Sequence, residues 1–108
     1  MAFEDDLKLK PVRKHKDGVT CSCDIRPELL NSNGVVHGGV IASIADEAAW
    51  HAILSVLGST GKSMTTSELK VNYLRPIAGK RATARGYVLK LGKRLAVTRI
   101  DIFGDSRK

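Results

Sequence analysis

The residue most suited to chemistry is Asp46, an acid within the largely apolar stretch from Val40 to Leu57. An ionised carboxylate in apolar surroundings is costly unless it is paired, hydrogen-bonded or protonated, so such a residue often marks a functional site. The alternative is that Asp46 and Glu47 share one exposed side of a helix. Periodicity alone leaves both interpretations open.

The three residues His37, Gly38 and Gly39 directly precede this stretch and could bind an anion. Free backbone N–H groups and the positive end of the helix dipole meet at the start of a helix. Glycine lets a substrate carbonyl approach the backbone closely, and a donor aimed at a developing oxyanion is worth about 3 kcal/mol of barrier. The alternative is a turn that uses glycine only for a positive φ.

A strand and a long helix are expected to position these groups. Val19, Cys21, Cys23 and Ile25 alternate with polar residues, the period-two pattern of a half-buried strand, and both cysteines fall on one face as free buried thiols. A short helix or an arm is expected for residues 1–17. An alanine-rich helix is predicted from about Gly39 to Leu57, with apolar residues on nearly every face, so other structure must wrap it.

Three further strand patterns follow a linker at residues 58–63, namely Thr65–Leu74, Arg81–Leu91 and Arg94–Phe103. Leu69, Val71 and Tyr73 alternate cleanly in the first, residues 91–94 predict a tight hairpin between the other two, and Gly86 and Arg99 suggest bulges or strong curvature. One long helix with antiparallel strands predicts an α+β fold. The length of 108 residues predicts a single domain over 1–108 whose small core favours self-association.

Composition excludes several function classes. No cluster has metal-ligand spacing, so no metal is expected, and neither a P-loop nor a dinucleotide fingerprint is present. The acidic start lacks a secretory signal, which favours the cytoplasm, and the polar residues of the apolar stretch argue against a membrane span. Residues 59–108 carry 12 Lys/Arg against 3 Asp/Glu, but only 5% of all residues are aromatic, so nucleic acid is not the expected partner.

The spacing of Asn31, His37-Gly38-Gly39 and Asp46 resembles the hotdog-fold acyl-CoA thioesterases, most closely the phenylacetic-acid-degradation type. The stretch from Thr66 to Pro76 is similar to the strand that follows the central helix in that family. The resemblance spans about residues 18–103. It implies a long helix wrapped by a curved antiparallel sheet, with subunits paired as a dimer and often as a tetramer.

The same resemblance implies site roles. Asp46 would be the catalytic carboxylate, as a general base or as a nucleophile, and the Gly38 N–H would polarise the thioester carbonyl. Asn31 and Thr66 would place substrate or water, while His37 and Gly39 would support the substrate-binding loop. Coenzyme A enters as part of the substrate, so no other cofactor is implied.

Two further features could bind parts of an acyl-CoA. Trp50 lies one helical turn after Asp46 and could line an acyl or aryl pocket, although a lone tryptophan is more often core. His51 is interpreted as a packed or surface residue. The cations that could hold the CoA phosphates are Arg75, Lys80, Arg81, Lys93 and Arg94. Each of them could instead be an ordinary solvated charge on the surface.

Helix geometry constrains where the two catalytic groups can meet. Gly38 and Asp46 are eight residues apart, which is about 12 Å along a helix at 1.5 Å per residue. A thioester carbon must lie near both the attacking group and the oxyanion donor. We therefore expect Gly38 of one subunit to act with Asp46 of another.

One departure from the family concerns its usual last strand, which lies inside the sheet. This sequence continues beyond Phe103 only with residues 104–108. The exposed edges would have to be covered by a partner, by the N-terminal arm or by a rearranged sheet.

The leading hypothesis is a thioesterase acting on a small or medium acyl- or aryl-CoA. The alternative is a non-catalytic acyl-CoA-binding module of the same fold. A hydratase or dehydratase usually has a different His/Asp or His/Glu arrangement.

Overall fold

The computed structural model describes residues 6–58 and 68–105. A four-stranded antiparallel sheet in the order β1-β2-β3-β4 packs against one long helix, α1. The elements are β1 (Lys10–His15), β2 (Gly18–Asp24), a 3-10 turn (Pro27–Leu29), α1 (Gly38–Leu57), β3 (Arg81–Leu91) and β4 (Ala96–Gly104). This is the predicted α+β arrangement.

The core lies between α1 and one face of the sheet. Cys21 of β2 pairs with Ala84 of β3, and both are fully buried beneath Ala48 and Ala52 of the helix. Small side chains on both layers let the helix approach the sheet closely. Cys21 and Cys23 are free buried thiols, as predicted.

The helix begins and ends where sequence signals place it, within one residue. His37 is its N-cap, and Gly58 follows its last turn with φ +74°, a conformation that glycine adopts without steric cost. The sheet covers one side of α1 in the single chain and leaves Trp50 40% exposed. By length and hydropathy alone, α1 could also cross a membrane, a test that core helices pass too.

The N-terminal segment agrees with the expected short helix only at its described start, where residues 6 and 7 are helical, and its later part is a strand. Residues 10–15 form β1, which pairs with β2 and reverses at residues 16–17. Leu7 and Leu9 are buried in the core, and this burial anchors the segment even though lysines and Pro11 interrupt its pattern.

The strand predicted at Thr65–Leu74 is wrong for its described part. Residues 68–74 form no strand, and residues 65–67 lie outside the described chain. Among the described residues, the sheet contains only β1 to β4, and none of these strands pairs with the segment. An extended segment without a hydrogen-bonded neighbour is not a β-strand. Leu74 is 89% exposed as a result.

The sheet irregularity lies elsewhere than predicted. Pairing is regular through Gly86↔Ile100 and Tyr87↔Arg99, and the register of β3 with β4 shifts between Val88 and Lys90. A second shift lies between Pro11 and Arg13, where β1 pairs with β2. Gly86 is instead the position where α1 crosses β3 at close range. The predicted hairpin between the two strands is confirmed, with Gly92 N–H donating to the carbonyl of Leu95 at 2.8 Å.

Candidate active site

Among the described residues, the start of α1 leaves one backbone donor without an acceptor. Gly39 N–H donates to His37 Nδ1 at 3.0 Å, and the N–H groups of Val40 and Ile41 donate to the carbonyl of His37 at 2.9 and 3.1 Å. The Gly38 N–H has no acceptor within residues 6–58 and 68–105. It is therefore available to a ligand, at the positive end of the helix dipole.

The cap also fixes what His37 and Gly39 can contribute. Because Nδ1 accepts a hydrogen bond, it carries no proton while the cap is formed, and a neutral ring then has its proton on Nε2. The Gly39 N–H is occupied by this bond, so it is not a free donor for substrate.

Asn31 organises the loop that leads into the helix. Its Oδ1 accepts from Asn33 N–H at 2.9 Å and from Val35 N–H at 3.3 Å, and Gly34 turns the loop with φ +76°. The side-chain oxygen is thus committed to the loop, which leaves the Asn31 NH₂ group as the one that could donate to substrate.

The segment after the helix crosses the start of α1 at two points. Val36 N–H donates to the carbonyl of Ile77 at 2.8 Å, and the Tyr73 hydroxyl donates to the carbonyl of Gly38 at 3.0 Å. The contact between Tyr73 and Gly38 was not predicted from the sequence. Its only signal was an aromatic residue in an alternating pattern, which indicated a buried strand face rather than a polar contact.

Asp46 lies on the exposed side of α1 in the single chain, which is the alternative that periodicity left open. Glu47 is half-buried, and its charge contributes to raising the pKa of the Cys21 thiol, so the two neighbouring acids have different surroundings. Trp50 is exposed as well, and its ring meets that of His51 edge-on at 5.2 Å. Burial lowers the pKa of His51.

The helix separates the two predicted catalytic groups. Gly38 is the first residue of α1 and Asp46 the ninth, so about 12 Å of helix lies between them. One chain therefore does not bring Asp46 to the Gly38 N–H.

The candidate phosphate-binding cations fall into two groups at opposite ends of β3. Lys93 and Arg94 follow its last residue, whereas Lys80 and Arg81 are at its start, about 33 Å away at 3.3 Å per residue. Arg75 lies two residues after Tyr73 and is exposed. Arg75, Lys80 and Arg81 lie within four residues of Ile77, whose carbonyl accepts from Val36 N–H two residues before α1.

Arg81 is partly engaged by the fold. Its guanidinium lies 3.8 Å from Asp24 Oδ1, and its N–H, with that of Lys80, donates to Asp105 Oδ1 at 3.3 and 2.8 Å. These two backbone donors hold the pKa of Asp105 below its ordinary value.

Thr66 lies outside the described residues. Within the described ranges, no group of three or more His, Cys, Asp or Glu residues could hold a metal ion.

A groove of about 460 Å³ lies between β1 and the last turns of α1, and His51 is one of its lining residues. His51 is 13 residues, or about 20 Å, along the helix from Gly38, so the groove is separate from the site at the start of α1.

Comparison with known proteins identifies the family. The profile described as "Thioesterase superfamily" matches residues 33–108. The chain is 30% identical to the medium/long-chain acyl-CoA thioesterase YigI of Escherichia coli K12, over 99% of this chain and 78% of YigI. It superposes on protein PA5202 of Pseudomonas aeruginosa with a TM-score of 0.85 and 26% identity, covering 99% of this chain and 85% of that one. The PaaI protein of the E. coli phenylacetic acid degradation operon gives a TM-score of 0.75 and 26% identity, covering 91% of this chain and 72% of PaaI. The chain therefore has the predicted hotdog fold and belongs to the thioesterase superfamily of hydrolases.

Proposed function

We propose that this protein hydrolyses small to medium acyl- or aryl-CoA thioesters to the free acid and CoA. The observation that carries the proposal is the Gly38 N–H, which has no acceptor among the described residues and lies at the start of α1 in a thioesterase-family chain. The name of the relative YigI supports acyl-CoA as the substrate class.

Gly38 acts on the thioester carbonyl in this proposal. Attack on the carbonyl carbon moves negative charge onto its oxygen, and a fixed N–H donor stabilises that charge more than it stabilises the ground-state carbonyl. The absence of a side chain on Gly38 gives the thioester room to reach the backbone.

Asp46 supplies the second group. As a general base, it takes a proton from water while the water oxygen bonds to the thioester carbon; as a nucleophile, its own oxygen forms that bond, and water cleaves the resulting anhydride. In both routes the carbon–sulfur bond breaks and CoA leaves as a thiolate that takes up a proton. The donor and the carboxylate both belong to the protein, so no cofactor is required.

The two groups come from different subunits. The helix places them about 12 Å apart within one chain, and a homodimer with two-fold symmetry would form two equivalent sites, each with Gly38 of one subunit and Asp46 of the other. Exposed apolar residues support self-association, since Trp50, Leu69 and Tyr73 are between 40 and 58% exposed in the single chain.

The basic residues near the start of α1 are proposed to hold the CoA phosphates. Arg75 is exposed, and Arg81 keeps part of its guanidinium accessible beside Asp24. Arginine suits this role because its planar group binds phosphate with two parallel hydrogen bonds.

The test measures thiol release from a panel of acyl- and aryl-CoA thioesters, extended to long chains because YigI is named for medium and long ones. Asp46→Asn removes the carboxylate charge at nearly constant size, and we expect kcat to fall by a factor of about 10² to 10⁴. Glu47→Gln is the matched control, because it makes the same change at the next residue and leaves Asp46 in place.

The outcomes separate the enzyme from the binding module. Thiol release by the native chain and by Glu47→Gln, with loss in Asp46→Asn at unchanged oligomeric state, supports the proposal. Binding of thioesters without release by the native chain would instead identify a non-catalytic acyl-CoA-binding module. Equal activity of the native chain and Asp46→Asn would exclude Asp46 as the catalytic carboxylate.

A further inference from the structure

The peptide unit that joins Gly38 to Gly39 is held at both ends by side chains. Its N–H, which belongs to Gly39, donates to His37 Nδ1 at 3.0 Å. Its carbonyl, which belongs to Gly38, accepts from the Tyr73 hydroxyl at 3.0 Å. One contact comes from the cap residue and the other from a segment 35 residues further along the chain.

Two consecutive glycines explain why such a clamp is useful. Neither residue has a Cβ, so the backbone at this point has more rotational freedom than at any other pair of residue types. The Gly38 N–H belongs to the preceding 37–38 peptide, whose His37 carbonyl accepts from Val40 and Ile41, and the two peptides meet at the Gly38 Cα. Holding the 38–39 peptide in place therefore limits rotation about φ and ψ of Gly38, and with it the direction in which the Gly38 N–H points. A donor for an oxyanion must point in one direction before the reaction begins.

The Tyr73 ring also lies against Gly38. A Cβ built on Gly38 would be 3.6 Å from the Tyr73 hydroxyl oxygen and 3.7 Å from two ring carbons, which is ordinary contact distance. Tyr73 is nevertheless 58% exposed. The Tyr73 side chain therefore hydrogen-bonds to the start of α1 while much of its surface stays accessible to solvent.

We propose that Tyr73 is a positioning residue for the oxyanion donor: its hydroxyl, together with His37 Nδ1, fixes the Gly38–Gly39 peptide so that the Gly38 N–H points away from the helix toward the thioester oxygen. This inference rests on the proposed thioesterase function. Tyr73 acts through Gly38 and needs no contact with the substrate.

A donor-orienting role predicts a particular kinetic signature. The orientation of the N–H matters most when charge develops on the oxygen, so its loss affects the transition state more than substrate binding. Tyr73→Phe removes the hydroxyl and keeps the ring against Gly38. We expect kcat to fall about three- to tenfold, the range of one lost hydrogen bond, with KM changed by less than about twofold.

The chain has only two tyrosines, and the second one provides a matched control. Tyr87 of β3 has its ring 5.1 Å from that of His15, at the opposite side of the sheet from α1. Tyr87→Phe removes the same atom without touching the start of the helix, and we expect native kcat and KM.

A second measurement reports on the clamp itself. In ¹⁵N-labelled protein, the Gly39 amide resonance should shift in Tyr73→Phe, because the carbonyl of the same peptide unit loses its donor. The Gly39 resonance should keep its position in Tyr87→Phe. Thermal unfolding of both variants shows whether either loses stability.

The outcomes distinguish this inference from the proposed function. A lower kcat in Tyr73→Phe with native KM and a shifted Gly39 resonance supports the positioning role. An active native protein whose Tyr73→Phe variant keeps its kcat, or loses only substrate affinity or stability, would overturn the role of Tyr73 alone. An inactive native protein would overturn the proposed function, and the positioning role of Tyr73 with it.

Discussion

Gly86 of β3 lies directly beneath Ala52 of α1: a Cβ on Gly86 would be 3.1 Å from the Ala52 Cβ and 3.2 Å from the Ala48 carbonyl oxygen. These distances are shorter than ordinary van der Waals contact. The helix can therefore approach the sheet this closely only because residue 86 has no side chain.

The first prediction concerns this contact. Gly86→Ala introduces a methyl group where the Ala48 backbone cannot yield easily, so we expect a loss of about 1 to 3 kcal/mol in the free energy of unfolding. Denaturant unfolding measures the change. Ala52→Gly removes one of the clashing carbons, and the double variant should be less destabilised than the sum of the two single ones. Strict additivity would show that the two positions do not press against each other.

The elements that could be predicted from the sequence are those determined by residues close together in the chain. Alternation located β2, the 81–91 pattern matched β3, and alanine content with Gly58 bounded α1 within one residue. The strand at 65–74 could not be decided in this way, because alternation at Leu69, Val71 and Tyr73 shows that a segment can be extended but not that a partner strand lies beside it.

The candidate site was predictable to a similar extent. His37, Gly38 and Asp46 stood out by type and spacing, and the helix rise already separated Gly38 from Asp46. Whether Asp46 is exposed depends on which side of α1 the sheet covers, which periodicity does not reveal when apolar residues occur on every face. The Tyr73 contact joins residues 35 positions apart, so no local pattern could indicate it.

A second prediction isolates the Gly38 N–H. Gly38→Pro deletes this donor, and proline is favoured at the first position of a helix. The preceding residue must then be extended, and His37 already has φ −60° and ψ 138°. We expect kcat to fall by a factor of about 10² to 10³, the usual effect of losing one oxyanion donor.

Gly38→Ala is the comparison for this change, because it keeps the N–H and adds a Cβ at 3.6 Å from the Tyr73 hydroxyl. Steady-state thiol release should show much higher kcat for alanine than for proline, and circular dichroism should show the same helix content in both. Similar activity of the two variants would mean that the N–H does not contribute.

A third prediction uses the buried thiol of Cys21. Burial first, and the charge of Glu47 second, raise the pKa of Cys21 to about 11 from an ordinary value near 9.0. The folded state therefore keeps its proton where the unfolded state loses it. The resulting stability is present below about pH 9 and is lost as the pH rises toward 11, by about 1 kcal/mol at pH 10.

Unfolding by urea at pH 8 and pH 10 tests this titration. Lysines and tyrosines also titrate in this range, so the comparison is with Cys21→Ala, whose stability should decline less between the two pH values. The native thiols should also resist alkylation at pH 8 until the protein is unfolded. A decline of equal size in both proteins would assign the effect to other groups.

The last prediction tests whether each site is shared between subunits. Asp46→Asn and Gly38→Pro are each expected to be inactive, but a mixed dimer pairs the intact Gly38 of the first with the intact Asp46 of the second. One of its two sites is then complete. With random exchange half of the dimers are mixed, so the mixture should recover about a quarter of the native activity. Thiol release after mixing, unfolding and refolding the two variants together measures this recovery, and each variant refolded alone is the control. If both groups of a site came from one chain, every site in the mixture would lack one of them and no activity would return.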